Sequence, residues 1–169
     1  RITGVILPPP LCESKGVIAE FVDAGVPVVA IASAHPNQYI SRVRIDDFQA
    51  GKEVTQHLIA AGHRRIGHLS GRPDLRSSEL REQGYRQALE AAGIPFDPNL
   101  VRVGGYDPDT ALVPARELLS LPERPTAIFA ANDVSAIQTM NVAGELGISV
   151  PDQLSVVGFD NIPESVLAE

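Results

Sequence analysis

Arg81, Asn132 and Asp160 are residues in this chain with the chemistry to hold a small hydroxylated molecule. A polyol needs acceptors, donors and groups that do both, and a guanidinium, a carboxamide and a carboxylate supply these. Tyr106 adds a candidate apolar face for a sugar or base ring. Asn132 and Asp160 each follow an apolar run, so they also fit the caps of the helices that come next. Arg81 lies four residues before Tyr85 and eight before Leu89, on the same helical stripe. A guanidinium there must be paired or open to a cleft, because an unpaired buried one is costly.

Catalytic patterns fail on spacing. Gly67-His68-Leu69-Ser70-Gly71 has the glycines and serine of a nucleophile elbow, but its serine stands one place too late. Gly104-Gly105-Tyr106 opens no dinucleotide fingerprint, and no phosphate loop ends in Gly-Lys-Ser/Thr. His35, His57, His63 and His68 fall on a loop, a helix, a turn and a strand without metal-ligand spacing, and read as surface or packing residues. The pair Asp46-Asp47 looks like an acidic pocket, although a strand end plus a helix cap explains it better. The sequence therefore predicts no catalytic residue, no metal site and no cofactor.

Elements must position these side chains. Short β-branched runs occur at 4–7, 26–32, 43–45, 65–69, 101–103, 127–131 and 154–159, most of them followed by a helical pattern. Ala50, Val54, Leu58 and Ala61 share helical spacing before Gly62, and a stripe from Leu80 runs through Tyr85, Leu89 and Ala92 to Gly93. Another runs through Ala136, Met140 and Ala143, with Asn132 to cap it and Gly147 to end it. A helix starting at Ala111, capped by Thr110, keeps Pro114 in the tolerant first turn. Such alternation predicts open parallel α/β sheets with helices on both faces. Ligands of such sheets sit beyond the carboxyl ends of the strands, where Tyr106, Asn132 and Asp160 fall. The polar turn Ala61-Gly62-His63-Arg64 is the expected lobe boundary, dividing 1–62 from 63–169.

Bulk properties narrow the function classes. The 169 residues are 44% hydrophobic, 21% charged and only 5% aromatic, a composition suited to helices on a buried parallel sheet. A net charge of −7 argues against a surface that neutralises phosphates, so this segment is not expected to grip nucleic acid itself. Cys12 is alone and can form no internal disulfide, and no apolar run approaches a membrane span. The chain opens on Arg1 and reaches Gly4-Val5-Ile6-Leu7 almost at once, as an excerpt of a longer protein would.

Several motifs together resemble the lactose/galactose-repressor (LacI/GalR) family of transcription regulators. They are Ala130-Ala131-Asn132-Asp133, Gly147-Ile148, and the run from Val150-Pro151-Asp152-Gln153-Leu154 through Ser155-Val156-Val157-Gly158-Phe159 to Asp160-Asn161. Upstream, Gly62-His63-Arg64-Arg65-Ile66-Gly67 and Arg81-Glu82-Gln83-Gly84-Tyr85 are similar to the family's crossover and the first helix of its C-terminal lobe. Gly4-Val5-Ile6-Leu7 and Gly25-Val26-Pro27-Val28-Val29 fit its N-terminal lobe, so the likeness runs through essentially the whole chain.

The resemblance implies a two-lobed core like that of periplasmic sugar-binding proteins, with the N-terminal lobe incomplete here. It implies a cytoplasmic homodimer that binds operator DNA through a helix-turn-helix head outside this chain, under control of a small-molecule effector, a sugar by its chemistry. It also implies effector contacts for Arg81, Asp160 and Asn132, a nearby hydroxyl at Ser77 and an aromatic packed on the ligand ring at Tyr106. One departure stands out: the family often ends the strand after Val-Pro-Val-Val with an acidic residue, and this chain has Ala32-Ser33 there. A transport or chemotaxis receptor of the same fold is the alternative reading; an enzyme is not expected.

Overall fold

The computed structural model describes residues 2–33 and 37–167, so His35 falls outside them. Seven strands, β1 (Val5–Leu7), β2 (Val28–Ile31), β3 (Ser41–Val43), β4 (Ile66–Ser70), β5 (Val101–Val103), β6 (Ala127–Ala130) and β7 (Ser155–Val157), are described. Five helices, α1 (Lys15–Asp23), α2 (Asp47–Ala60), α3 (Arg76–Ala91), α4 (Pro108–Leu119) and α5 (Asp133–Glu145), separate them, except that β3 follows β2 directly. The strands form two separate sheets in the orders β1-β2-β3 and β5-β4-β6-β7. Every pairing is parallel.

The two sheets are covered differently. β4 and β6, central in the second sheet, are buried at every position, as parallel strands between two helical layers must be. One face packs Leu69, Ile128 and Ala130 against Ala111, Ala115 and Leu118 of α4 and Val142 of α5. The opposite face packs Ile66, Ala127 and Phe129 with Leu58 of α2 and with Tyr85 and Leu89 of α3. The stripe predicted through Tyr85 and Leu89 is thus core. In the first sheet, Leu7, Val28 and Ala30 pack with Cys12 and with Ile18 of α1. Among the described residues nothing covers the opposite face of that sheet: Ile6 and Val43 are 66% and 62% exposed, and Ile31 40%.

Of the boundaries that differ from the sequence reading, three have a clear physical cause or consequence. β3 pairs Ser41, Arg42 and Val43 with Val29, Ala30 and Ile31, so the strand lies two residues earlier than the apolar run at 43–45. α3 starts at Arg76 instead of Leu80, which puts Arg81 in the second turn. α4 starts at Pro108, not Ala111, and Pro114 stands inside it, where its missing N–H leaves the Thr110 carbonyl without the usual helical donor. Burial of Ala111, Ala115, Leu118 and Leu119 along that helix outweighs a penalty of about 3 kcal/mol.

α2 packs against α3 and β6, within the second sheet's layers, although it precedes the turn at 61–64. Glycines permit this close approach. A Cβ at Gly84 would collide with the Phe48 carbonyl oxygen and the Lys52 nitrogen, and one at Gly51 with backbone atoms of Arg81. The chain therefore passes from one sheet to the other in residues 44–46, with Asp46 capping α2 through a 3.0 Å bond from Gln49 N to its carboxylate.

Candidate functional site

Topology fixes where a crevice opens. The chain leaves β4 through α3 to reach β5 on one side, and leaves β6 through α5 to reach β7 on the other. Connections that diverge from adjacent parallel strands leave a crevice beyond their carboxyl ends, here above β4 and β6. Gly71, Asn132 and the residues after β7 border it.

Arg81 is anchored under this crevice. Its Nε donates to Asp47 Oδ1 at 2.9 Å and its Nη1 to the Ala131 carbonyl at 2.6 Å. The guanidinium carbon lies 3.7 Å from the centre of the Phe159 ring. Both ends of the ion pair are buried, with side chains 9% and 5% exposed, so deleting one partner should cost about 3–5 kcal/mol. The requirement that Arg81 be paired or face a cleft is met by a pair, and Nη2 makes no bond among the described residues. Asp47 is the partner that sequence reasoning set aside as part of a strand end and cap. Its only signal was an acidic residue in the first turn of a helix.

Asp160 and Asn132 divide between the two readings open to each. Asn132 does cap α5: its Oδ1 accepts from Ser135 N at 2.9 Å, and its amide nitrogen makes no hydrogen bond among the described residues. Asp160 makes no hydrogen bond among the described residues and is exposed. Its φ is +104° and that of Asn161 is +59°, in the left-handed half of the map that non-glycine residues seldom enter. Asp133 holds this turn from α5, its N–H donating to Phe159 O at 2.8 Å and its Oδ2 accepting from Ile162 N at 2.9 Å. Partial burial pushes the Asp160 carboxyl above its ordinary range; Arg81 pulls it back, and Asp133 and Asp47 push it further up.

Tyr106 and Ser77 complete the predicted set. The Tyr106 hydroxyl lies 2.7 Å from Ser78 Oγ, and the phenol end occupies the space a Cβ on Gly71 would fill. Thr110 pins the loop below it through a 2.8 Å bond to the Gly104 carbonyl. Ser77 is buried in the first turn of α3. The histidines lie elsewhere: His63 bridges Thr126 and Ser155 at 2.9 and 3.0 Å, and His68 is sealed between aromatic rings. Among the described residues, no three His, Cys, Asp or Glu side chains gather as metal ligands would. No helix there is long and apolar enough to cross a membrane.

Two parallel α/β sheets with a crevice at a switch point define a ligand-binding core, and the chain belongs to the periplasmic binding protein-like domain family, which it matches over residues 55–169. Within that family it sides with the lactose/galactose-repressor regulators. It is 38% identical over 149 residues to the HTH-type transcriptional regulator CelR of Thermobifida fusca, covering 87% of this chain and 43% of CelR. It is 34% identical over 165 residues to the HTH-type transcriptional repressor PurR of Vibrio atlanticus, covering 96% of this chain and 48% of PurR. The solved complex of a regulator CelR with cellobiose superposes with a TM-score of 0.85 at 35% identity, over 94% of this chain and 49% of that one. A putative LacI regulator from Bacillus cereus superposes with a TM-score of 0.88 at 27% identity, over 98% and 59%. The chain thus spans less than half the length of the curated relatives it matches. These relatives are transcription regulators and not enzymes.

Proposed function

We propose that this chain is the effector-binding core of a DNA-binding transcription regulator, and that its effector is a sugar held at the switch-point crevice. One observation carries the reading: the carboxylate of Asp160, set on a strained backbone, makes no hydrogen bond among the described residues and lies beside the buried guanidinium of Arg81 where the sheet topology opens a crevice. In this reading Asp160 accepts from two hydroxyls, Arg81 donates through Nη2, Asn132 donates through its amide nitrogen, Ser77 supplies a hydroxyl, and Tyr106 offers its ring. The whole protein would act as a cytoplasmic homodimer and meet operator DNA through a helix-turn-helix head outside this chain. The regulator relatives favour this over a transport or chemotaxis receptor. The lobe division is drawn before Asp47 in place of the 62/63 boundary expected from the sequence, a reading supported by the packing of α2 on α3.

Calorimetric titration with glucose, cellobiose, ribose and adenosine tests the assignment. Asp160→Asn keeps the shape and removes the charge, so affinity for the compound that binds should fall roughly 10- to 100-fold. The ligand-free melting midpoint should hold, because the Asp160 side chain makes no hydrogen bond among the described residues. Arg81→Lys should lose stability as well as affinity, since it gives up the fork that meets Asp47. Equal affinity in wild type and Asp160→Asn would sink the assignment.

A further inference from the structure

We propose that the crevice selects an uncharged polyol and turns away phosphorylated or carboxylated sugars, an inference that rests on the effector site proposed above. The charges around it are unequal. Asp160, Asp133 and Asp47 bring three carboxylates, and Arg81 brings one guanidinium. That guanidinium is already matched: Asp47 takes its Nε and the Ala131 carbonyl its Nη1. Asp133 is turned inward onto the Ile162 nitrogen. What remains for a ligand is one nitrogen of a neutralised arginine, one amide nitrogen and the unbonded carboxylate of Asp160. A hydroxyl satisfies both kinds of group, whereas an anion meets Asp160 with no unmatched positive charge to offset it.

Two features pull the other way and are smaller. α3 begins without a side-chain cap and so presents open backbone N–H groups, but Glu79 sits in that first turn and pairs with Arg76. Arg72 lies near Tyr106, yet its charge is matched by Asp74, which accepts from Nε at 3.0 Å and from Nη2 at 2.6 Å. α5, the other helix that starts here, has its N-terminus closed by Asn132 and carries Asp133 in its first turn.

The charge balance gives a gain-of-binding test. Inorganic phosphate and glucose 6-phosphate are titrated against wild type, Asp47→Asn and Asp160→Asn, alongside the neutral sugars. Wild type should show no saturable heat with either anion at millimolar concentration. Asp47→Asn releases the Arg81 charge and should bind phosphate roughly tenfold or more tightly than wild type, and adding Arg81→Gln should abolish the gain. Asp160→Asn, at an exposed position that bonds nothing, gives the same gain without touching the buried pair. Wild-type binding of glucose 6-phosphate as tight as that of a neutral sugar overturns the proposal, as does failure of both variants to gain phosphate. If phosphate is gained but no neutral compound binds wild type, the charge selection stands and the sugar assignment of the site fails.

Discussion

His68 shows what one buried side chain does to the whole stability curve. Its ring stacks 4.7 Å from Phe129 and 5.2 Å from Tyr85, Nδ1 bonds the Phe129 carbonyl at 2.9 Å, and Nε2 is buried without a partner. Burial lowers its pKa from 6.5 to about 4, against the smaller opposing pull of the Phe129 carbonyl. The unfolded chain therefore takes up a proton first. Stability is intact above about pH 6.5 and drains away as pH falls toward 4, by about 2 kcal/mol between pH 7.5 and pH 5. Urea midpoints at those two pH values should differ accordingly in wild type and much less in His68→Leu. Residue types alone located the strand-end polar groups but not their states. Asn132 as cap was legible, being a contact three residues apart, but Asp160 as unbonded acceptor and Asp47 as the partner of Arg81 depend on contacts between segments 29 to 50 residues apart or on local backbone strain. A single sequence does not display those.

At the scale of elements, the crossing of α2 on α3 is the tightest joint in the fold. Gly84→Ala should destabilise by about 1–3 kcal/mol or more, because the atoms in the way belong to the backbone of the other helix and cannot rotate aside. Gly144, inside α5 with nothing within 4 Å of an added Cβ, is the control: Gly144→Ala should stabilise by about 0.4–1 kcal/mol. Urea unfolding of the two variants gives both signs. Periodicity made the helices legible because their apolar stripes are long, and Gly62 and Gly147 marked their ends through positive φ. The start of α4 was not legible: local rules place Pro114 in a first turn, and only the tertiary burial of Ala111 and Ala115 explains why the helix runs through it. β3 was misplaced for a related reason, since Ile45 is apolar yet 53% exposed and the pairing with β2 selects Ser41 and Arg42 instead.

For the molecule as a whole, the sequence's strand–helix alternation and family motifs translated into two parallel sheets, and the incomplete N-terminal lobe that the family likeness implies shows as one bare face of the first sheet. With a net charge of −7, residues 1–169 should not retard operator DNA in a sequence-dependent way; a gel shift at physiological salt checks this. The bare face has a practical consequence. Ile6, Ile31 and Val43 present a native apolar surface of the kind that solvatochromic dyes use as a marker of loosened packing. A dye added to follow melting would fluoresce before any unfolding began, and its brightness would report that sheet instead of the crevice. Circular dichroism has no such blind spot, so the melting midpoints of the variants above are best read by the helices' own signal.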